Sequence, residues 1–338
     1  MPPEPMEPTF VIAGRLHRDY LLPPTGRPLI DVPGGNLLYA TAGLGVWDSQ
    51  IGLLARVGED YPQEWLLSFN KRGWDIRGIH ILAGALDLRY FQARLDPQTF
   101  QRTNPITHFA RMNLPFPKAL LGYQSPAESD DRKTAHPASP RPGDIPPDYL
   151  DAHAAHLCPL DYMTTSRLLS TFRQANITFL TLDPSAAYMT NEAFDNMRSL
   201  LQGLTAFLPS EEELRAIFWG RTNDLWQMAE ALASFGCELI IVKRGAHGQM
   251  LYDNASKKRW EVPAYPAHLE DLTGAGDSFC GGFSAGYQKT FDPLRAVLYG
   301  SVSASLTIEG SGAFHALDAL PGLAQARLDS LSDLVRQV

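Results

Sequence analysis

Residues 271–286 read Asp-Leu-Thr-Gly-Ala-Gly-Asp-Ser-Phe-Cys-Gly-Gly-Phe-Ser-Ala-Gly, a loop of small residues that runs into a helix of small and apolar ones. Because Gly274, Ala275 and Gly276 carry almost no side chains, several backbone N–H groups can approach one anion at the positive end of the helix dipole. Asp277 follows directly, although a carboxylate beside a bound anion is electrostatically unfavourable in a shielded site. The pattern is explained if Asp277 accepts the proton of a hydroxyl that attacks phosphorus, as the general base of a phosphoryl transfer.

Residues 271–286 also admit other interpretations. A glycine-rich helix start can be a tight turn that allows close helix packing, with Asp277 as a first-turn partner of the helix dipole, and the motif alone leaves this open. A dinucleotide-binding fingerprint fits poorly, because the third spaced glycine is missing and Val297 stands about 20 positions on, where an acidic residue belongs. A Walker-type phosphate loop is excluded, since Gly-Lys-Ser/Thr occurs nowhere in the sequence.

Residues 271–277 resemble the C-terminal signature of the PfkB (ribokinase-like) family of ATP-dependent sugar and nucleoside kinases, and the order of elements is similar over nearly the whole chain. One position departs, Leu272, where the family usually has a small polar or branched residue. The resemblance implies ATP and Mg²⁺ as cofactors and places Thr273 at the nucleotide. It also implies that Asp271 helps to bind a monovalent cation such as K⁺, as in some family members.

Composition narrows the class of protein. The net charge of −8 and the absence of a basic run with interleaved aromatics argue against nucleic acid or an anionic membrane as partner. Three widely spaced cysteines argue against a disulfide framework or a zinc site. The N-terminus lacks a signal-peptide pattern and no long apolar run exists, so we expect a cytoplasmic protein with one kinase domain over residues 1–338.

Apolar segments of strand length alternate with segments of helical pattern. Strands are predicted at residues 10–14, 49–58, 156–158, 178–182, 206–208 and 239–242. Helices are predicted at residues 63–71, 161–174, 191–202, 211–218 and 224–235. This alternation predicts an α/β fold with a mostly parallel central sheet and helices on both faces.

Residues 15–35 and about 86–112 do not follow the alternation and show no helical periodicity. In the resembled family these two stretches build a small β-sheet lid over the sugar, and a homodimer through the lid is one assembly this permits. Residues 124–148 hold six prolines among polar residues. Such a segment buries little apolar surface to offset its ordering entropy, so we predict a mobile insertion there.

Two patterns resemble the family's acceptor site. Gly14 followed five residues later by Asp19 matches a carboxylate that accepts hydrogen bonds from substrate hydroxyls, although the spacing is also compatible with a surface loop. Gly34 and Gly35 match a di-glycine that lets a sugar approach the backbone, although a structural turn explains them too.

The family typically has a substrate-binding asparagine four residues after this di-glycine. That position is Tyr39 in this sequence, and Asn36 directly follows the pair. An amide head offers a donor and an acceptor in compact form, whereas a tyrosine offers only a hydroxyl at the end of a ring. Either Asn36 substitutes through altered loop geometry, or the substrate differs from ribose and fructose.

The nucleotide side also has matches. Residues 210–213 read Ser-Glu-Glu-Glu where the family has Asn-x-x-Glu, so Glu213 matches the residue that organises the water shell of magnesium. The same spacing is a helix capping box, which explains it without a metal. Lys243, Gly245 and Gly248 resemble the family's nucleotide-side turn, and a plain hairpin turn is the alternative.

We therefore expect an ATP-dependent kinase that phosphorylates a hydroxymethyl group of a sugar or sugar-like small molecule. A nucleoside kinase of the same family is the first alternative. Tyr39, Ser185 and Ser210 depart from family positions and motivate a second, a ligand-binding or regulatory relative with weak catalysis. An oxidoreductase is a more distant alternative.

Overall fold

Strands and helices alternate through most of the chain. The computed structural model describes residues 8–47, 50–96, 99–125, 129–175, 177–332 and 334–337. The strands are β1 Phe10–Ala13, β2 His17–Leu22, β3 Leu29–Gly34, β4 Ile51–Gly58, β5 Asp75–Leu82, β6 Arg89–Arg94, β7 Phe100–Gln101, β8 Ala154–Leu157, β9 Phe179–Leu182, β10 Ala206–Phe207, β11 Leu239–Lys243, β12 Gln249–Asp253, β13 Arg259–Val262 and β14 Arg336–Gln337. The α-helices are α1 Asn36–Gly45, α2 Gln63–Lys71, α3 Pro105–Arg111, α4 Tyr162–Gln174, α5 Met197–Leu201, α6 Glu211–Ile217, α7 Leu225–Ala233, α8 Ala275–Thr290, α9 Pro293–Thr307 and α10 Leu323–Ser332. Short 3₁₀ helices lie at Lys118–Leu120, Pro142–Asp144, Pro147–Asp151, Asn191–Asn196, Gly245–His247 and His315–Asp318.

The larger sheet has the strand order β14-β13-β12-β11-β10-β9-β8-β1-β4-β5. The seven strands from β11 to β5 in that order pair in parallel, and β12, β13 and β14 extend one edge in antiparallel fashion. A separate small sheet has the order β3-β2-β6-β7. The α/β fold with a mostly parallel sheet and a small second sheet is therefore confirmed. Residue 49, with which the predicted strand 49–58 begins, lies outside the described residues.

Alternate residues of the central strand β1 face two different cores. Phe10 and Ile12 pack into one cluster, while Val11 and Ala13 pack into the other. This follows from the two-residue period of side chains along a strand. Helices α1, α8 and α9 contribute to the first cluster and α4 and α7 to the second, so each face of the sheet is covered.

The small residues of α8 allow it to pack unusually close to α1. A Cβ on Gly281 would lie 1.9 Å from the carbonyl oxygen of Ala40, and a Cβ on Gly43 would lie 2.1 Å from that of Ser278. No side chain fits at either distance. The glycines of α8 and α1 therefore determine how deeply the start of α8 is held against the sheet.

The small sheet has a core of its own. Tyr20, Leu22, Phe91, Phe109 and Leu120 are all buried in one cluster. The predicted lid stretches 15–35 and 86–112 thus form one packed unit together with residues that follow them. The prediction for these two stretches lacked a helix, since α3 lies inside residues 86–112.

Local backbone chemistry explains why α3 forms there. Asn104 precedes the helix in the left-handed conformation with φ of 52°, a region that asparagine tolerates better than most residues. Pro105 then occupies the first helical position, where its fixed φ suits a helix and its missing N–H costs nothing. The start of α3 lacks the side-chain capping box that marks α6, a helix of equal length that was predicted.

The Pro-rich segment 124–148 makes specific contacts over its described part. Asp144 accepts two hydrogen bonds from the guanidinium of Arg56 on β4, at 2.6 and 2.9 Å. The Ser139 hydroxyl accepts from Arg15 at 3.1 Å. Residues 126–128 of the segment lie outside the described residues. Its mobility stays a prediction.

No helix among the described residues combines the length and the apolar character needed to span a membrane.

The close packing of α8 makes an unusual stability prediction. Gly→Ala inside a helix normally stabilises by up to about 1 kcal/mol. We expect Gly281→Ala to lower the free energy of unfolding instead, by about 2 kcal/mol, because the new Cβ overlaps the Ala40 carbonyl. Urea denaturation measures the change. Gly143→Ala is the control, since a Cβ there meets nothing within 4 Å. Equal stabilities for the two variants would contradict the packing argument.

Candidate active site

The carboxyl ends of two parallel strands meet the beginning of α8 at one edge of the large sheet. Asp183 directly follows β9, and Lys243 is the last residue of β11. The Lys243 ammonium lies 2.6 Å from Asp183 Oδ2, and a Cβ on Gly276 would lie 3.5 Å from it. In open α/β sheets, ligands bind in the crevice beyond these strand ends.

The loop before α8 has the conformation that its glycines predict. Gly274 has φ of 75° and precedes the helix, where Ser278 N–H donates to its carbonyl at 2.9 Å. The amide of Ala275 donates to the Leu272 carbonyl at 3.2 Å, so one predicted member of the anion-binding group is used within the loop. The N–H groups of Gly276 and Asp277 lie in the first turn, where an intrahelical acceptor is missing. An anion-binding role for this turn stays a prediction.

Asp277 is partly accessible, yet charged groups surround its carboxyl. Desolvation and the Asp183 carboxylate together raise the pKa of Asp277 to about 8, although the Lys243 ammonium opposes the change. Glu213 acts in the same direction as Asp183. A carboxyl with this pKa holds a proton far more firmly than an ordinary aspartate, which suits a proton acceptor near neutral pH.

Asp183 is a member of the site that sequence reasoning missed. Its side chain is buried and joins Lys243 in an ion pair, and Cys280 Sγ lies 3.3 Å from the same Oδ2. Burial alone would lower the pKa of Lys243, and Asp183 with neighbouring acidic groups raises it above its ordinary value. The lysine therefore stays charged beside Gly276. A carboxylate directly after a buried parallel strand was the available signal.

Glu213 forms the capping box that its spacing allows. Its Oε2 accepts from Ser210 N–H at 2.7 Å, and its own N–H donates to Ser210 Oγ at 3.2 Å. Burial, together with the Asp183 carboxylate, raises the pKa of Glu213 to about 7. The Asp183 carboxylate is therefore close enough to affect the pKa of Glu213. The capping box nevertheless accounts for the position of Glu213 without a metal.

The carboxylates fit a hydrated Mg²⁺. Asp183, Glu213 and Asp277 influence one another's protonation, and carboxylate oxygens are ligands that Mg²⁺ prefers. The described residues contain no group of three acidic, histidine or cysteine side chains arranged to hold a metal by themselves. Mg²⁺ usually keeps several waters and binds through one or two carboxylates and the phosphates of its substrate, so a closed protein cage is not required.

Asp19 and the di-glycine lie together, as predicted. Asp19 is 2% exposed, and a Cβ on Gly34 would lie 1.8 Å from its Oδ2. Gly35 has φ of 101° and its amide stabilises the Asp19 carboxylate. Desolvation nevertheless raises the pKa of Asp19 to about 8. Its Oδ1 is buried without a hydrogen-bond donor among the described residues.

Tyr39 connects this acceptor side with the loop before α8. A Cβ on Gly274 would lie 2.0 Å from Cδ1 of the Tyr39 ring, so the bare glycine makes room for the aromatic face. Burial raises the pKa of the Tyr39 phenol well above its ordinary value, and the carboxylates of Asp19, Asp271 and Asp277 add to this. The ring therefore lies among the acidic groups of both sides.

Asn36 is held by the main chain. Its Oδ1 accepts from Arg15 N–H at 2.8 Å, and its Nδ2 donates to the Pro159 carbonyl at 2.7 Å. These contacts tie the start of α1 to two loops. A substrate contact by Asn36 stays a prediction, and the observed contacts give its amide a structural task.

Lid strand β6 contacts the loop before α8, which sequence reasoning did not find. Gln92 Nε2 donates to Thr273 Oγ1 at 2.7 Å, and Arg94 Nε donates to Asp271 Oδ1 at 2.9 Å. Thr273 N–H and Oγ1 donate to the same Asp271 oxygen at 3.0 and 2.7 Å. The residues around Asp271 therefore do not fit a monovalent cation bound through this oxygen, since a positive group already contacts it. A nucleotide contact by Thr273 stays a prediction.

The turn after β11 combines an open glycine with a tight one. A Cβ on Gly245 would meet nothing within 4 Å, whereas a Cβ on Gly248 would lie 2.0 Å from the Val262 carbonyl. Gly248 thus allows β12 to pass close to the chain after β13. Gly245 borders open space, and a nucleotide contact by either glycine stays a prediction.

Comparison with known proteins places this geometry in a family. The family model described as pfkB family carbohydrate kinase matches residues 149–320, about half of the chain. A cytidine kinase from Thermococcus kodakarensis is 25% identical over 282 residues, which is 83% of this chain and 88% of that protein.

Solved structures agree on the fold. A ribokinase II from E. coli in complex with ATP and Mg²⁺ superposes with a TM-score of 0.68 at 18% identity, covering 95% of this chain and 98% of the other. A nucleoside kinase from Burkholderia thailandensis in complex with inosine gives a TM-score of 0.68 at 17% identity over 95% and 98% of the two chains. Because the family model matches half of the chain, the chain belongs to the pfkB family of carbohydrate kinases.

Proposed function

We propose that the protein is an ATP-dependent kinase that transfers a phosphoryl group to a hydroxymethyl group of a sugar or sugar-like molecule, with Asp277 as general base. The observation that carries the proposal is the carboxyl of Asp277 itself. Asp277 lies in the first turn of α8, directly after the small residues 274–276. Desolvation and the Asp183 carboxylate raise its pKa to about 8. A desolvated, partly accessible carboxyl beside first-turn amides without intrahelical acceptors suits proton removal coupled to phosphoryl transfer.

Each neighbouring group has a task in this proposal. The first-turn N–H groups of α8 hold the transferring phosphoryl while its charge develops, and the Lys243 ammonium adds positive charge next to Gly276. Glu213 and Asp183 would hold the water shell of Mg²⁺, which supplies charge neutralisation at the phosphates when bound. Most of the rate is expected from positioning and electrostatics, since the hydroxyl has a high pKa of its own.

The phosphate acceptor is proposed to bind at the Asp19 carboxylate. A diol presents two donors, and the unpartnered Oδ1 of Asp19 is an acceptor that a bound hydroxyl would satisfy. The missing Cβ of Gly34 leaves room for the Asp19 carboxylate, and that of Gly35 leaves room for the Arg15 carbonyl, so the di-glycine holds Asp19 in place. The small sheet is proposed to act as a lid that excludes water during transfer.

A nucleoside acceptor is the second candidate, and two observations favour it. A relative that aligns over 83% of this chain is named a cytidine kinase. In the lid strands, the His17 and Tyr90 rings stack at 5.0 Å with an interplanar angle of 15°, which offers a flat aromatic surface near Asp19. A planar base packs well on such a surface. The two candidates share Asp277 chemistry and differ only in the acceptor.

One assay separates the candidates. ADP release is measured with Mg-ATP and single acceptors from a panel of pentoses, hexoses and nucleosides. Turnover with sugars supports the first proposal, and turnover with nucleosides alone supports the second. Binding of panel members without turnover would instead favour the regulatory relative. Cytoplasmic location and a homodimer through the lid stay predictions.

Asp277→Asn tests the base. We expect turnover to fall by about 100-fold or more, because the amide cannot accept the proton, while ATP binding persists. Steady-state ADP release and ATP titration measure the two quantities. Asp329→Asn, an exposed acid on α10, serves as the control. Near-normal turnover of Asp277→Asn would exclude the base assignment.

The raised pKa values predict a pH dependence. Asp277 and Asp19 have pKa values of about 8 and act in their ionised forms, so protonation on lowering the pH removes activity. We expect kcat/KM for the acceptor to fall as the pH drops below about 8, with a steeper slope than one ionisation gives. For the residual activity of Asp19→Asn, the decline of kcat/KM with falling pH should have the slope of a single ionisation, that of Asp277. A flat profile between about pH 6 and 9 would contradict both assignments.

A further inference from the structure

Arg94 of strand β6 places its guanidinium against the buried carboxylate of Asp271. The Arg94 side chain is 7% exposed and that of Asp271 is 2% exposed. Their Nε–Oδ1 separation of 2.9 Å is that of a charge-assisted hydrogen bond. A guanidinium stays charged at any physiological pH, so this buried pair carries its positive member permanently.

The alternation of β6 shows that this contact is built into the lid. Phe91 and Ala93 face the core of the small sheet, so Gln92 and Arg94 face the other way, toward the loop before α8. Gln92 and Arg94, which lie on the same face of β6, thus bind Thr273 and Asp271 of that loop. An incidental surface contact would not involve alternate residues of one strand in this way.

The same oxygen of Asp271 organises the loop. It accepts from Arg94, from Thr273 N–H and from Thr273 Oγ1, and Gly274 follows immediately. A monovalent cation at this carboxylate would supply one positive charge that holds the loop in shape. The Arg94 guanidinium supplies that charge from within the chain.

We propose that Arg94 is a positioning residue that takes the place of a monovalent cation at Asp271, so that phosphoryl transfer needs no added K⁺. The proposal rests on the proposed kinase function. Arg94 acts through Asp271 and Thr273 on the loop and does not touch the reacting atoms. Arg94→Ala removes the charge and leaves Asp271 able to bind a cation from solution.

Turnover is measured in K⁺, Na⁺ and tetramethylammonium buffers of equal ionic strength. Wild-type activity should agree within about twofold across the three salts. Arg94→Ala should lose about 10-fold or more in kcat in tetramethylammonium and recover part of it in K⁺ or in methylguanidinium. Arg89→Ala is the matched control, because this arginine of the same strand binds Asp87 and the Ala119 and Leu121 carbonyls within the lid unit. It should acquire no cation dependence.

The outcomes separate this inference from the kinase proposal. Wild-type turnover that requires K⁺ would overturn the role of Arg94 and leave the kinase intact, as would full activity of Arg94→Ala without alkali cations. Absence of turnover in every salt would count against the kinase. The melting temperature then still decides on Arg94: it should respond to K⁺ in Arg94→Ala only, and a K⁺-specific rise in the wild type would contradict the inference.

A second inference comes from the hydroxyl of Tyr39. The residue is 3% exposed, and its OH is buried with no hydrogen-bond partner in the part of the chain that the structure describes. Buried hydroxyls are normally paired. Asp19 Oδ1, which also lacks a partner there, belongs to the same surroundings, because the Asp19 carboxylate raises the pKa of this phenol.

We infer that Tyr39 is a specificity-determining residue whose hydroxyl bonds an acceptor hydroxyl. The ring fills the space over Gly274 that a smaller side chain would leave open, and the OH presents one donor and one acceptor to the substrate. This inference also rests on the kinase proposal. It explains how the site can function without an asparagine at this position.

Tyr39→Phe tests the role of the hydroxyl with two readouts. We expect the KM of the best acceptor in the panel to rise about 10-fold or more, with the KM of ATP unchanged. The melting temperature of the free protein should stay equal or rise, because the removed OH has no partner. Tyr149→Phe is the control and should lower it, since Tyr149 OH donates to the Asp75 carbonyl at 2.9 Å. An unchanged acceptor KM, or a lowered melting temperature for Tyr39→Phe, would overturn the inference.

Discussion

The close approach of α8 to α1 is the constraint on which the rest of the site depends. Gly43 and Gly281 bring the two helix backbones to distances that no side chain permits. This depth places the first turn of α8 against the ends of β9 and β11, so that Gly276 comes near Lys243. It also brings Gly274 onto the ring of Tyr39 at the beginning of α1. The packing of α8 on α1 thus brings together the loop before α8, the charged strand ends and the surroundings of Asp19.

Buried charge is the second organising feature. Asp183, Glu213 and Asp277 gather around one ammonium, that of Lys243, and the pKa values of the three carboxyls rise. Desolvation exceeds the stabilisation that a single cation supplies. Such an imbalance costs folding free energy, and functional sites are where perturbed carboxyls of this kind concentrate. Binding of Mg²⁺ beside these groups would reduce the imbalance.

Much of the fold and part of the site could be predicted from sequence. Continuous apolar segments of strand length, alternating with helical patterns, predicted the parallel sheet and helices α2, α4, α6 and α7, because strands covered on both faces are apolar throughout. The glycine run before Asp277 predicted the helix start, since only small residues allow that close approach. Helix α3 was not predicted, because it lacks the capping box that marks α6, a helix of the same length, and its start depends instead on the left-handed Asn104.

The local chemistry of this chain was determined by sequence alone: an aspartate after three small residues, a carboxylate followed by a di-glycine, and an aromatic ring where the resembled family carries an amide. Which partner each group meets was decided only by tertiary structure. Asp271 lies against Arg94 from a strand 177 positions earlier, and Asp183 lies against Lys243 from 60 positions later. Single-sequence patterns report neighbours along the chain, whereas these ion pairs depend on the order of strands in the sheet and on where the lid rests.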